Sequence, residues 1–270
     1  MDCKLIALDM DDTLLTSEKV VSEQNKQAVN AALEKGIKVV LCSGRTHNAV
    51  IKYVKGLGIK GPNQYMITNG GAIIENLSGK IVFQELMSNE FYREFVKFIE
   101  DNQLHYNVVD KDGNTYTSGK EWLDKYTIMQ AYENENGLYL KEPDQLPNDF
   151  QIVKAIINGE KSKLDGISDK VHQRFDKNYF VVRTGVGFLE VFPQNVNKGV
   201  ALEALCNKLN INLNQVMAMG DRDNDIPMLK KVGKGIAMEN AQPGVKEVAD
   251  FVTADNNHSG VALAIKKFAL

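Results

Sequence analysis

Short apolar runs alternate with helical segments at both ends of this chain, and no other feature constrains its fold as strongly. In the first third, three runs are typical of buried strands, at Lys4–Met10, Lys38–Cys42 and Tyr65–Thr68. Helical patterns lie between them, at about residues 22–35 and 47–57. Strands that alternate with helices pair in parallel through right-handed crossovers, so we expect an α/β fold with a Rossmann-like parallel sheet.

The middle of the chain does not continue this alternation. After Phe83 the sequence predicts a helix at Asn89–Glu100 and then a hairpin, whose turn is the Lys-Asp-Gly between His105–Asp110 and Asn114–Ser118. Further strands are predicted at Gln151–Asn158 and across Tyr179–Phe192, the latter broken at Thr184-Gly185. We therefore expect an α+β block with antiparallel strands.

The alternating pattern returns after Pro193, which indicates one domain interrupted by an insertion. The predicted elements there are helices at Lys198–Leu209, Asp225–Lys231 and Val261–Leu270 and strands at Gln215–Met219, Gly235–Met238 and Asp250–Thr253. We expect a core formed by residues 1–82 and 193–270 and an inserted α+β domain at residues 83–192.

Composition narrows the class of protein. The chain has 270 residues and a net charge of −3 without a basic block, which argues against a nucleic-acid partner and against a basic membrane-binding surface. Its apolar runs are too short to span a bilayer, and we expect no signal peptide. Three widely spaced cysteines suit a reducing cytoplasm, and four scattered histidines do not favour a zinc site.

Polar residues gather where the predicted strands end, which is the edge at which open α/β sheets bind ligands. The segments are Asp9-Met10-Asp11-Asp12, Ser43-Gly44-Arg45, Asn69-Gly70-Gly71 and the GDRDND stretch at 220–225. Residues two apart in a strand face the same side, so we expect the side chains of Asp9 and Asp11 to converge on one point. Clustered carboxylates raise one another's pKa unless a cation lies among them, and Mg2+ suits such an all-oxygen site.

Lys198 adds a second indication, because it lies at the predicted start of a helix that Asn197 can cap. A cation there opposes the helix dipole, so the placement favours an anion bound at the same point, and phosphate fits a helix N-terminus. The Ser43 hydroxyl and the Gly44 N–H would add neutral donors. Each motif alone also fits a turn, a helix cap or a surface residue, but together they favour a site for phosphate and metal.

These motifs resemble those of Cof-type phosphatases (subfamily IIB) of the haloacid dehalogenase (HAD) superfamily, and among them most closely the bacterial sugar phosphatases. The matching segments are DMDDTLL (9–15), CSGR (42–45), VNKG (196–199) and GDRDND (220–225). The resemblance extends over the whole chain and implies that the insertion is the substrate-selecting α/β cap of that family. Two positions differ: the family usually has glycine where Asp12 stands, and often an acidic residue where Ser259 stands, so we assign Ser259 no role.

The resemblance implies a Mg2+-dependent phosphatase. Asp9 would be the nucleophile that forms an aspartyl-phosphate, and Asp11 the general acid and base. By the same resemblance, Mg2+ would be held by the Asp9 and Asp221 carboxylates and the Asp11 carbonyl, with Asp225 orienting them. The expected phosphate contacts are the Met10 N–H, Ser43, Gly44, Lys198 and Asn224. We interpret Asp12 as structural, Cys42 as a core residue and Arg45 as part of a local ion pair.

Two other functions stay open at this stage. A phosphoacceptor signalling domain of the receiver type also uses an acidic cluster, Mg2+, a hydroxyl residue and a lysine, but its acidic residues lie on different strands and it has no insertion. A phosphomutase of the same superfamily would return the phosphoryl group to a sugar and release little phosphate. We expect a small phosphorylated metabolite as substrate and a monomer or homodimer, and the sequence does not name the substrate.

Overall fold

A computed structural model describes residues 2–270 of the chain, so residue 1 of the predicted core lies outside the described residues. The strands are β1 (Leu5–Leu8), β2 (Lys38–Leu41), β3 (Tyr65–Thr68), β4 (Ile73–Asn76), β5 (Ile81–Gln84), β6 (His105–Asp110), β7 (Thr115–Thr117), β8 (Leu138–Leu140), β9 (Ile152–Asn158), β10 (Tyr179–Gly185), β11 (Phe188–Pro193), β12 (Val216–Gly220), β13 (Lys234–Ala237) and β14 (Phe251–Val252). The helices are α1 (Glu23–Glu34), α2 (His47–Gly56), α3 (Asn89–Asp101), α4 (Lys125–Asn134), α5 (Lys161–Phe175), α6 (Lys198–Leu209), α7 (Ile226–Lys231), α8 (Pro243–Val248) and α9 (Gly260–Phe268). Across this part of the chain, every helix is too short or too polar to cross a membrane.

The chain forms two compact units. The first contains residues 2–44, 50–83 and 197–270, and the second contains residues 45–49 and 84–196. Residues 45–49, which the sequence assigned to the core, pack in the second unit, where the Thr46 hydroxyl donates to the Asn134 carbonyl at 2.8 Å.

The first unit is built on a parallel sheet with the strand order β14-β13-β12-β1-β2. All four residues of β1 are fully buried, as expected for an apolar strand between two neighbours. Strand β3 runs beside the end of β2 through a parallel bridge between Cys42 and Ile67 and pairs antiparallel with β4. The predicted α/β fold with a parallel sheet is confirmed.

Local sequence signals explain where the main helices of this unit begin. The Ser22 hydroxyl accepts from the Asn25 N–H at 3.2 Å, and the Asn197 side chain accepts from the Val200 N–H at 2.9 Å. Both bonds satisfy an N–H group that has no partner within its helix. Helix α1 then buries Ala28 and its neighbours against α9 and the sheet, which stabilises both helices on the core.

The second unit is a six-stranded sheet of order β10-β11-β9-β6-β7-β8, antiparallel except between β7 and β8. One face packs against α3 and α5 in an aromatic-rich core that includes Phe91, Tyr92, Phe95, Phe98, Tyr106 and Phe175. Because side chains alternate along strands, the other face carries a different set, which we name the polar face: Asn107, Lys154, Asn158 and Glu190, all buried. The Lys154 ammonium donates to Glu190 Oε1 at 3.2 Å.

Two details of the sequence interpretation were wrong, and three helices were not predicted. Strand β1 ends at Leu8 rather than Met10, because the chain turns through residues 10–14 and the Leu15 N–H closes the turn on the Met10 carbonyl. The last hairpin turns at residues 186–187 rather than at Thr184-Gly185, since a bulge absorbs Thr184 within β10. The three helices that were not predicted are α4, α5 and α8. They were missed because their sequences have no clear apolar period or because they lie between short loops.

Candidate active site

Three buried carboxylates meet beyond the ends of β1 and β12. Asp9 follows β1, and its N–H extends the sheet by donating to the Met219 carbonyl at 3.0 Å. Asp221 follows β12, and Asp225 immediately precedes α7. One oxygen of each carboxylate lies within 4.8 Å of the others. Carboxylates this close repel one another, so the site needs positive charge.

Lys198 supplies part of that charge. Its ammonium donates to Asp9 Oδ1 at 2.5 Å and to Asp225 Oδ1 at 2.6 Å, and the residue is 1% exposed. Burial opposes the charged form of Lys198, but the Asp225 and Asp9 carboxylates outweigh it and raise the pKa of the amine. Lys198 is therefore a fixed cation, placed at the first turn of α6 by the Asn197 cap.

Backbone geometry holds Lys198 and its helix in place. Gly71, in the loop after β3, has a φ of +107°, and a Cβ built there would lie 2.5 Å from the Asn197 carbonyl oxygen. Only glycine can take this conformation so close to another backbone. The loop after β3 therefore packs directly against the start of α6.

Asp225 holds the loop after β12 together. Its Oδ2 accepts from the N–H groups of Asp221 and Arg222, at 2.9 and 3.1 Å, while its Oδ1 accepts from Lys198. Gly220 leaves room for this side chain, because a Cβ there would lie 2.4 Å from that of Asp225. Both oxygens of Asp225 are thus used in hydrogen bonds to its neighbours.

Burial makes the carboxylates hard to ionise. It raises the pKa of Asp9 well above its ordinary value, and the Asp225 charge adds to this effect while Lys198 opposes it. Burial and the Asp225 charge likewise raise the pKa of Asp221 to about 7. Thr13 offsets part of the cost, since its hydroxyl donates to Asp221 Oδ1 at 2.8 Å. A bound cation would favour the ionised forms.

Asp11 does not join this cluster through its side chain. The expectation that Asp9 and Asp11 converge depended on a strand that reaches Met10, and in the structure the chain has already turned. The Asp11 carboxylate accepts from the Lys19 ammonium at 2.9 Å, and the side chain is 34% exposed. Met10 between them is fully buried.

The remaining predicted residues follow the ends of β2 and β12. Ser43 is buried and tied by its backbone to the β3 end, donating to the Ile67 carbonyl and accepting from the Gly70 N–H, both at 2.9 Å. A Cβ on Gly44 would meet open space. The Asn224 Oδ1 atom is buried without a hydrogen-bond partner within residues 2–270, which indicates a missing donor. Arg45 is buried and belongs to the second unit.

The chemistry of the cluster fits a hard divalent cation. Its candidate ligands are all oxygens, and Mg2+ takes oxygen ligands and needs only one or two carboxylates. Asp9 and Asp221 are the members whose oxygens are not both used by hydrogen bonds to Lys198 and the backbone. The third carboxylate of the cluster is that of Asp225, whereas the predicted third ligand was the Asp11 carbonyl, which stays a prediction.

Sequence analysis missed two residues at this edge of the sheet. Thr13 bonds to Asp221, and Arg222 donates from Nη2 to Asp12 Oδ2 at 2.6 Å, so both tie the loop after β1 to the loop after β12. Each residue lies inside a motif that the sequence singled out, DMDDTLL or GDRDND. Their partners are about 210 positions away in the chain, and no local pattern reports such a contact.

The chain resembles known proteins over most of its length. The profile of the haloacid dehalogenase-like hydrolases matches residues 6–265. The chain is 33% identical to a candidate phosphatase from Streptococcus pyogenes, with all of both chains covered. It is 30% identical to the 5-amino-6-(5-phospho-D-ribitylamino)uracil phosphatase YcsE of Bacillus subtilis, covering 100% of this chain and 97% of that protein.

A solved structure shows the same architecture. A haloacid dehalogenase-like hydrolase from Bacteroides thetaiotaomicron superposes with a TM-score of 0.82 at 30% identity, covering 98% of this chain and 99% of that one. The similarity therefore includes both units and is not limited to the residues around the cluster.

Proposed function

Because the chain belongs to the haloacid dehalogenase-like hydrolase family, we propose that it is a Mg2+-dependent phosphatase of small phosphorylated metabolites. The observation that carries this proposal is the buried cluster itself: a carboxylate at the end of β1 held by a fixed ammonium group, with two further carboxylates from the β12 loop. Positioning and charge neutralisation are what phosphoryl transfer requires.

Asp9 is the proposed nucleophile. Its carboxylate oxygen attacks phosphorus, the bond between phosphorus and the ester oxygen breaks, and an aspartyl-phosphate forms. The bond from Lys198 to Oδ1 fixes the orientation of the carboxylate and leaves the second oxygen for attack. The same ammonium can then balance charge on the phosphoryl oxygens.

Asp11 is the proposed general acid and base. It protonates the departing ester oxygen, and it then takes a proton from the water that hydrolyses the aspartyl-phosphate and restores Asp9. Its partial exposure supports this role, since the group must exchange protons with both the substrate and water. The Asp11 carboxylate lies outside the buried cluster of Asp9, Asp221 and Asp225 and accepts from the Lys19 ammonium.

Mg2+ would be held by Asp9, Asp221 and the Asp11 carbonyl, with Asp225 orienting the loop. When bound, it neutralises charge on the phosphoryl group and favours the ionised forms of the buried carboxylates. The phosphoryl oxygens would also contact the Met10 N–H, Ser43, Gly44 and Asn224. The open space at Gly44 supports this assignment.

The second unit is the proposed reader of the leaving group, acting as a cap. The residues described above contact only the phosphoryl group, so other residues must select the rest of the substrate. The polar face supports this role, because Glu190 Oε2, Asn107 Nδ2 and Asn158 Oδ1 are buried without partners within the described residues. Such donors and acceptors suit hydroxyl groups, and the name of the relative YcsE contains a phosphorylated ribityl chain. We therefore propose a sugar phosphate or another polyhydroxylated phosphate ester.

The proposed location is the cytoplasm, and the three buried free thiols support it. The sequence expectation of a monomer or homodimer stays a prediction.

A phosphate-release screen tests the proposal. Phosphorylated sugars, sugar alcohols, nucleotides and pyridoxal phosphate are incubated with the protein and Mg2+, or with excess chelator. We expect release that needs Mg2+, partial replacement by Mn2+ or Co2+, and inhibition by Ca2+, which takes more ligands at longer distances. Full activity in chelator would contradict the metal dependence. Phosphate transfer to a second sugar with little release would favour the phosphomutase, and a phosphoprotein stable for hours would favour a receiver.

A further inference from the structure

Asp12 occupies a position that does not require a side chain. Its backbone has a φ of +59°, in the left-handed region that glycine adopts without strain and that aspartate and asparagine tolerate. The turn after β1 would therefore form without a carboxylate, and the presence of one requires a separate explanation.

The Asp12 carboxylate holds one end of Arg222. Its Oδ2 accepts from Arg222 Nη2 at 2.6 Å, and its own carbonyl accepts from the Asn240 amide at 2.7 Å, which fixes the turn. On its other side, Arg222 Nε lies 3.5 Å from Asp221 Oδ2. The guanidinium thus lies between two carboxylates, with a hydrogen bond to Asp12 and a longer ion pair with Asp221.

Arg222 is a potential competitor for Asp221. Asp221 Oδ1 already accepts from Thr13, so Oδ2 is the oxygen that remains for a cation, and it is the one that faces Arg222. A guanidinium released from Asp12 could bond to this carboxylate through two N–H groups, the arrangement that arginine favours. An ion pair of that kind would compete directly with a bound metal.

We propose that Asp12 is a positioning residue: its hydrogen bond to Arg222 limits the contact of the guanidinium with Asp221 to a single longer ion pair and so leaves the Asp221 carboxylate able to bind a divalent cation. The inference rests on the proposed function, because it concerns the metal site assigned there. It assigns to Asp12 a role beyond the structural one that the sequence indicated.

The test measures Mg2+ affinity by isothermal titration calorimetry without substrate. Asp12→Asn removes the charge, and asparagine tolerates the left-handed backbone. We expect Asp12→Asn to weaken Mg2+ binding by about tenfold, the lower end of the range for residues that orient metal ligands. In Asp12→Asn combined with Arg222→Gln, the competitor is absent, and binding should return to within about twofold of wild type, the usual error of such cycles.

The rescue separates this role from a merely structural one, because a structural defect would make the double variant at least as weak as Asp12→Asn. Equal affinity of Asp12→Asn and wild type, or failure of Arg222→Gln to restore binding, would overturn the inference alone. Absence of Mg2+ binding by the wild-type protein would overturn the proposed metal site and this inference with it.

Two further variants complete the design. Asp12→Gly fits the turn without strain and also releases Arg222, so it replaces Asp12→Asn if that variant is not folded by circular dichroism. Glu203→Gln is the matched control, because this substitution also removes a partly exposed ion pair in the same unit, the one between Glu203 and Lys231. It should bind Mg2+ as wild type does, and a comparable loss there would overturn the inference.

Discussion

The Lys198 ammonium group neutralises part of the negative charge of the acidic cluster and so determines how much positive charge a bound cation has to supply. When Asp9, Asp221 and Asp225 are ionised, the cluster and Lys198 together carry two negative charges. A divalent cation would balance them, whereas a monovalent one would leave the buried site charged. The net charge of these four side chains therefore favours Mg2+ over Na+ or K+ at this edge of the sheet.

Replacing the proposed nucleophile should stop turnover while the fold survives. In Asp9→Asn the side chain keeps its size, and Lys198 keeps its bond to Asp225. We expect phosphate release to fall by several orders of magnitude, because the amide does not form an acyl phosphate. Retention of more than about a tenth of the wild-type rate by the folded variant would exclude covalent catalysis by Asp9. Asp112→Asn, on an exposed turn of the second unit, is the control and should have wild-type activity.

Removing the charge of Asp221 should stabilise the metal-free protein. It should also abolish the increase in Tm that Mg2+ causes. The pKa of Asp221 is raised to about 7 in the folded chain from an ordinary value of 3.8. The folded state thus holds this proton more tightly, and the associated stability is present below pH 4 and is lost as the pH rises through 7. At pH 8 the Asp221 carboxylate is ionised, which lowers the stability of the fold. Asparagine carries no charge and avoids this loss of stability.

In excess chelator at pH 8, we expect the Tm of Asp221→Asn to exceed that of wild type by about 2 °C or more, with a smaller difference at pH 5. Adding Mg2+ should raise the Tm of wild type and leave that of the variant unchanged. Calorimetry at the two pH values measures both effects. A lower Tm for the variant at pH 8 would show that ionised Asp221 does not destabilise the metal-free fold.

At the scale of elements, the start of α6 links helix stability to the site. The Asn197 cap bonds to the Val200 N–H and fixes the first turn, where Lys198 projects to the carboxylates. Helix α3 of the second unit begins in the same way, with the Ser88 hydroxyl accepting from the Phe91 N–H at 3.2 Å. The two caps are chemically alike, and only one of them precedes a residue of the cluster.

This pair gives a matched test. Asn197→Ala and Ser88→Ala should each lower the free energy of unfolding by about 1 kcal/mol, the usual cost of losing an N-cap. We expect only Asn197→Ala to reduce kcat, because it also loosens the position of Lys198. Urea unfolding and steady-state kinetics measure the two quantities, and an equal loss of kcat in both variants would mean that the cap acts on stability alone.

Elements with strong local signals could be predicted from the sequence. Strand β3 and helix α6 have the predicted bounds, since apolar runs, caps and flanking glycines mark them. Elements that depend on contacts with residues far away in the sequence could not be predicted. The early end of β1 follows from a turn that Asn240 and Arg222 stabilise from another part of the chain, and α4 offers no regular apolar period.

The same division applies to the cluster. Asp9, Asp221 and Lys198 could be predicted to meet because parallel strands bring their carboxyl ends to one edge. The side chain of Asp11 could not be placed, because a single change of direction after Leu8 sends it toward Lys19. The contacts of Thr13 and Arg222 depend on side-chain directions in loops, which follow no period.

At the scale of the whole molecule, the insertion should determine which esters are hydrolysed. Residues 84–196 can be replaced by a short Gly/Ser linker at the boundary of the second unit. We expect the kcat/KM for the best sugar phosphate to fall far more than that for p-nitrophenyl phosphate, because binding energy from the sugar contributes to the rate. An unchanged ratio of the two values in a folded, active core would show that the insertion does not select the substrate.

A milder pair of substitutions tests the same idea in the intact chain. Asn107→Ala and Asn158→Ala each remove an amide of the polar face, and in the described part of the chain Asn107 Nδ2 and Asn158 Oδ1 lack partners. Activity on the sugar phosphate should fall, while activity on p-nitrophenyl phosphate should persist. Loss of both activities together would point to unfolding, which circular dichroism would report.

The position of β12 has a consequence for the growing chain during translation. This strand lies between β13 and β1, yet its residues leave the ribosome after the whole of residues 84–196. Until then β1 has β2 as its neighbour and lacks the strand that covers its other edge. The inserted unit can therefore finish folding first, and a nascent or truncated chain presents Asp9 without Lys198, Asp221 and Asp225. Such a fragment lacks three of the four charged residues that form the cluster.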